Sequence, residues 1–87
     1  MANKYTNYRD IPRAIRAREN FMGNSCRGVW LDRSEYVVFS YSTLIYSDDL
    51  MTGVKKLNSR KYSVTTSRLQ NIVRSAVGDS LIECERI

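Results

Sequence analysis

Leu69, Ile72, Val73, Ala76 and Val77 recur at the i, i+3, i+4, i+7, i+8 spacing of one helix face, and Gly78 follows at once. That periodicity predicts an amphipathic helix over residues 66–77 with Gly78 at its C′ position. Ser67, Arg68, Asn71, Arg74 and Ser75 take the opposite side. Before the helix, Asn58-Ser59 reads as a turn leading into a short strand, Tyr62-Ser63-Val64. A chain that must lay this apolar stripe on something needs a second hydrophobic layer.

Residues 36–46 supply it. Val37, Phe39, Tyr41, Thr43 and Ile45 alternate with Tyr36, Val38, Ser40, Ser42, Leu44 and Tyr46. Such β-branched and aromatic alternation predicts a half-buried strand. Eleven residues is long for one strand, so a bulge is expected near Ser40–Ser42. Residues 28–32 form a further strand candidate, and Asp32-Arg33-Ser34-Glu35 a turn. Residues 47–53 turn the chain back into a return strand, Val54 to Asn58. Leu81 to Glu85 is a last strand that closes a sheet edge.

Near the N-terminus, Asp10 is a candidate N-cap, and Pro12 is tolerated in a first helical turn. A helix is expected over residues 11–20, with Ile11, Ala14 and Ile15 inward and Gly23-Asn24 as the breaker. Arg9, Arg13 and Arg16 project within roughly 60° of one another on the other side. Arg18 falls nearer the apolar face, its stem along the core edge and its head in water. Residues 1–9 read as an extended, tyrosine-rich arm ahead of a globular part from residue 10 to 87. The predicted class is α+β: one domain, with an antiparallel sheet of three to four strands packed against an N-terminal and a C-terminal helix.

At 87 residues a domain buries only roughly 60–65% of its unfolded surface, so support from a partner or a second copy is in keeping, and a homodimer is admitted. The N-terminus is polar, without a signal core, and no stretch approaches the roughly 20 apolar residues of a membrane span. The expected location is the cytoplasm. Cys26 and Cys84 are then expected as two buried thiols and not as a disulfide.

The chain has no histidine, so the commonest general base is absent. Two cysteines without histidine make a structural zinc site improbable on ligand count. No glycine-rich phosphate loop occurs. Asp48-Asp49 and Glu83/Glu85 are the acid pairs; solubility and edge protection account for them better than cation binding or acid–base work. No enzyme, cofactor or metal is expected.

The net charge is +5, and it is unevenly placed. Residues 1–31 carry six basic and two acidic side chains, and residues 50–78 carry six basic and none acidic. Between them, residues 32–49 carry one basic and four acidic. Two basic blocks around an acidic middle steer association with an acidic partner. The candidate contacts are Arg9, Arg13, Arg16, Lys55, Lys56, Arg60, Lys61, Arg68, Asn71 and Arg74. Thr65, Thr66 or Ser67 can cap the helix after Val64, and Arg60, Lys61 and Arg68 lie close enough in sequence to bring an anion to that same end. Arginine and asparagine also read base edges, but a helix-turn-helix needs a helix upstream where this chain has strand. Tyr5 and Tyr8, with exposed arginines, match the composition of protein interfaces and also of single-strand binders.

Four segments carry a resemblance: Ile11-Pro12-Arg13-Ala14-Ile15, Phe21-Met22-Gly23-Asn24-Ser25, Tyr41-Ser42-Thr43-Leu44-Ile45, and Lys61 through Asn71. Together they make residues 10–77 similar to a family of small, uncharacterised bacteriophage-encoded domains. Leu69 departs from that pattern, since members tend to carry histidine there; here it fits the core stripe. The resemblance implies phage origin and, at the level of class, an accessory protein that binds host machinery. The expected function is inhibition or modulation of a host nucleic-acid-handling or defence complex through its acidic surface. A small DNA- or RNA-binding protein contacting phosphates through the same residues is the alternative.

Overall fold

The computed structural model describes residues 7–85. A 3-10 turn, Tyr8–Asp10, leads directly into α1, Ile11–Ala17. Five strands follow: β1 (Phe21–Met22), β2 (Cys26–Trp30), β3 (Glu35–Ser40), β4 (Thr43–Asp49) and β5 (Val54–Asn58). Helix α2, Val64–Val77, then crosses over to β6, Leu81–Cys84. The six strands lie in one sheet in sequence order. β1 to β5 form an antiparallel meander, and β6 runs parallel to β5. A parallel neighbour needs a long crossover, and α2 is that crossover.

The α+β class therefore stands, but the sheet is larger than expected and mixed. Three local choices account for the difference. Residues 36–46 are two strands folded at Tyr41–Ser42, not one bulged strand. The turn has no glycine, asparagine or proline; Tyr41 itself adopts φ 55°, and its N–H donates to the Ser25 carbonyl at 2.7 Å. The bulge lies further along, where Val38 pairs with Tyr46 and Phe39 with Leu44. It leaves Ile45 as the extra residue, and Ile45 and Tyr46 both enter the core. Second, α1 stops at Ala17 because Arg18 turns left-handed, at φ 53°. Its N–H closes on the carbonyls of Ala14 and Ile15, so Phe21 and Met22 are released to pair with Gly28 and Arg27. Third, β6 joins by the parallel route.

Several segments match their expected positions. The return strand β5 spans Val54–Asn58, and the 32–35 turn is held by Asp32 Oδ1, which accepts from Ser34 N, Ser34 Oγ and Glu35 N. Helix α2 ends at Gly78, with φ 79°. Its start differs from expectation. Ser63 is the N-cap, accepting from the Thr66 N–H, and Val64 already lies in the helix and not in a strand. Thr66 instead turns its hydroxyl inward to Ser40 Oγ, at 2.8 Å. Of the expected arm, residues 1–6 lie outside the described residues, and Tyr8–Asp10 is a 3-10 turn. Asp10 occupies the N-cap position of α1 without a side-chain capping bond.

Both helices lie on the same side of the sheet. Ile11, Ala14 and Ile15 of α1 and Leu69, Val73 and Ala76 of α2 close a core over Phe21, Cys26, Tyr36, Val38, Ile45, Tyr46 and Leu57. Tyr36 and Trp30 pack edge to face, 5.6 Å apart. They tie down the end of α1 by donating to the Glu19 and Arg18 carbonyls respectively. Gly28 is where β1 and β3 press closest: a Cβ there would meet the Phe21 ring and come 2.5 Å from the Tyr36 hydroxyl. Cys26 and Cys84 sit four strands apart, roughly 19 Å, too far for a disulfide. Among the described residues no helix is long and apolar enough to cross a membrane.

Candidate functional site

Arg9, Arg13 and Arg16 of the first basic block and Arg68 of the second meet on the helical layer. The Arg68 guanidinium lies 4.6 Å above the Tyr8 ring, a cation–π contact joining the turn before α1 to the first half of α2. At the other end, Arg16 shares a cleft with Ala76 and Val77. The two helices therefore run side by side in the same direction, with Arg9, Arg13 and Arg16 along the outer side of the first. Arg13 is well exposed, and its 4.0 Å approach to Asp10 is a surface pair worth about 0–1 kcal/mol.

Arg60 and Lys61 are exposed on the loop that enters α2. Gln70 holds this loop against the helix, its Nε2 donating to the carbonyls of Asn58 at 2.6 Å and Arg60 at 2.9 Å. Asn58 adds bonds to the Leu44 carbonyl and the Tyr62 hydroxyl. The two cations are thus carried at the start of α2 by a buried polar brace.

The remaining candidates are arranged differently. Arg74 makes a bidentate pair with Glu83, Nε to Oε2 at 3.0 Å and Nη2 to Oε1 at 2.9 Å, while its Nη1 donates to Asn71 Oδ1 at 2.8 Å. Hydrogen bonding to Arg74 holds the Glu83 carboxyl below its usual range. Arg74 and Asn71 thereby direct their polar groups to β6. Lys55 and Lys56 point to opposite faces of the sheet, as neighbours on a strand must. Lys55 faces the helices, 3.9 Å from Asp48 Oδ1. Lys56 faces the other way, into a groove of about 330 Å3 that it shares with Glu35, Leu44, Ser47, Asp49 and Val54.

Sequence reasoning missed the most organised charge cluster. Arg18 does not extend its head into water alone: its Nε donates to Asp48 Oδ2 at 2.7 Å. Asp48 is only 2% exposed. Asp48 and Asp49, adjacent in sequence, point to opposite faces and do not act as a pair. A cleft of about 310 Å3 opens over the cluster, lined by Ile15, Arg16, Arg18, Tyr46, Asp48, Lys55, Ala76 and Val77. Burial first, then the Asp48 charge, pushes the Tyr46 phenol well above its usual range and keeps it protonated. The one available clue was the position of Arg18 near the apolar face of α1. Nothing local marks Asp48, because its burial comes from helices distant in sequence.

Chemically, the helical layer offers guanidinium and ammonium groups. The Cys26 thiol is buried, and burial raises its pKa, which disfavours the thiolate. Among the described residues no group of three or more acidic, cysteine or histidine side chains is placed to hold a metal ion. The arrangement suits recognition of anionic groups. No protein-family model, curated protein or solved structure matches this chain.

Proposed function

We propose that the protein is a non-enzymatic binding module that engages an acidic surface through its helical layer. Its contacts are Arg9, Arg13, Arg16, Arg60, Lys61 and Arg68. In keeping with the resemblance to small phage-encoded domains, the proposed partner is a host nucleic-acid-handling or defence complex, which the module inhibits or modulates in the host cytoplasm. The observation that carries this is the stacking of Arg68 on Tyr8. It puts basic groups that are far apart in sequence on one side of one sheet. Side chains spread over two packed helices present a broad cationic surface, which favours and steers encounter with an acidic one.

The test is recovery of partners from nuclease-treated host lysate on the tagged protein, followed by mass spectrometry. Arg13→Glu with Arg16→Glu is expected to abolish capture of the partner, whereas Arg74→Ala, whose guanidinium faces Glu83, is expected to retain it. Capture unchanged by the charge reversal would overturn the proposal. A mobility-shift titration at two salt concentrations addresses nucleic acid directly. Tight binding to random duplex or single strands that weakens steeply with salt would assign the same residues to phosphates instead.

A further inference from the structure

The side of the sheet away from the helices is unusually apolar for a surface facing water. Antiparallel sheets with one wet face show polar residues on that face. Here the register puts Met22, Val29, Phe39, Leu44, Val54 and Ile82 on it. β3 is apolar on both sides: Tyr36 and Val38 point to the helices, Val37 and Phe39 away from them. Val37 is already 0% exposed, shielded without any helix above it, while Met22 and Ile82 remain 53% and 52% exposed. A strand apolar on both sides is the mark of a sheet buried on both sides. No described element covers this one.

We infer that this face pairs with the same face of a second copy of the chain. Charge selects that occupant. The molecule carries +5, yet the apolar face holds two cations, Arg27 and Lys56, and two carboxylates, Glu35 and Asp49. An acidic partner of the kind the helical layer attracts has no electrostatic reason to choose a balanced surface. A second copy does, because the charges are segregated along the strands. Arg27 is in register with Phe39, and Glu35 with Asp49, so the basic and acidic rows lie about 13 Å apart along β3. A two-fold axis running across the strands near Val37 turns the Arg27 row of each copy toward the Glu35 and Asp49 row of the other. Lys56, level with Val37 through Ser47, lies on that axis and shares its own groove with both carboxylates. The contact is isologous, so each ion pair forms twice.

Area is consistent with this. Six strands spaced ~4.8 Å apart, averaging about five residues in length, make a footprint of roughly 24 by 17 Å. That is about half the ~800 Å2 per partner buried in a standard stable interface, which fits a weak dimer that dissociates on dilution. Two sheets stacked in this way form a sandwich with the helical layers outermost. The acidic-partner surface proposed above would then be displayed twice, on opposite sides.

Sedimentation of the purified full chain over a dilution series, without any partner present, tests the inference independently of the binding proposal. The expected result is a species of twice the 10.1 kDa chain mass that dissociates on dilution. Arg27→Glu and Glu35→Arg are each expected to weaken the dimer at least about tenfold, the equivalent of ~1.4 kcal/mol, and the double reversal to restore it. Ile82→Asp, at a half-exposed edge position that leaves the fold intact, is expected to weaken it as well. A monomer at every concentration would overturn the inference. So would a dimer indifferent to all three single substitutions, with the fold verified by circular dichroism.

Discussion

Arg18 Nε reaches Asp48 Oδ2 across 2.7 Å, joining the residue that ends α1 to a carboxylate buried in the middle of the sheet. The next cation, Lys55, stands 3.9 Å from the other oxygen. Removing Arg18 strands a buried charge, which is the costly way to break such a pair. Arg18→Met is expected to destabilise the fold by about 3 kcal/mol in urea unfolding. Lys55→Met, which leaves the short bond intact, is expected to cost about 1 kcal/mol or less.

Tyr36 and Tyr46 are held protonated by burial, both well above the ordinary phenol value. A raised folded pKa contributes stability that is fully present below the unfolded value. It is lost as pH rises from about 10 through the folded one. Stability should therefore fall steeply above pH ~10, by about 1.4 kcal/mol per pH unit for each tyrosine. Tyr46→Phe is expected to remove one tyrosine's share of that slope, measured by chemical unfolding at stepped alkaline pH.

Gly28 leaves no room for a methyl group between the Phe21 ring and the Tyr36 hydroxyl. Gly28→Ala must push apart the short β1 pairing or the aromatic anchor of α1. The expected loss is about 1–3 kcal/mol, with accelerated amide exchange at Phe21 and Met22 as the local sign.

Tyr41 is exposed and occupies the left-handed region that disfavours large side chains. Tyr41→Gly relieves that strain, at some expense from the freer unfolded chain. A net gain of about 0.5–1 kcal/mol is expected in thermal unfolding.

Ser63 caps α2 by accepting from Thr66 N, and its hydroxyl also lies 3.3 Å from that of Thr66. Ser63→Ala is expected to cost about 1 kcal/mol. Ser67→Ala, which lies inside the helix, should leave stability nearly unchanged. That contrast distinguishes Ser63 from the hydroxyls downstream of it.

Periodicity is legible where one face of an element decides its fate. The stripe from Leu69 to Val77 buried as its spacing predicts, and β5 kept its expected bounds. Pattern failed where a backbone turn is made by a residue without a turn signature. Tyr41 and Arg18 both adopt positive φ, and neither residue type announces it. Each misreading hid a strand: one at the Tyr41 hairpin, the other at Phe21–Met22. The candidate site divides in the same way. That arginines line the outside of α1 could be read from spacing, but Lys55 facing Asp48 and Arg74 facing Glu83 depend on which strands become neighbours. Pairing partners in a sheet are a long-range property, and no short window contains them.

β6 reaches the sheet only after the chain has passed through all of α2, and it has a single neighbour there. The meander from β1 to β5, by contrast, joins each strand to the next in sequence, the kind of local contact that forms early and quickly. The topology thus divides the sheet into a scaffold of sequence-adjacent strands and a latch joined through α2. Arg74 on α2 grips Glu83 on the latch itself, so this surface ion pair reports whether the latch is closed. Opening of that latch, with the scaffold still closed, is a local excursion that the topology allows.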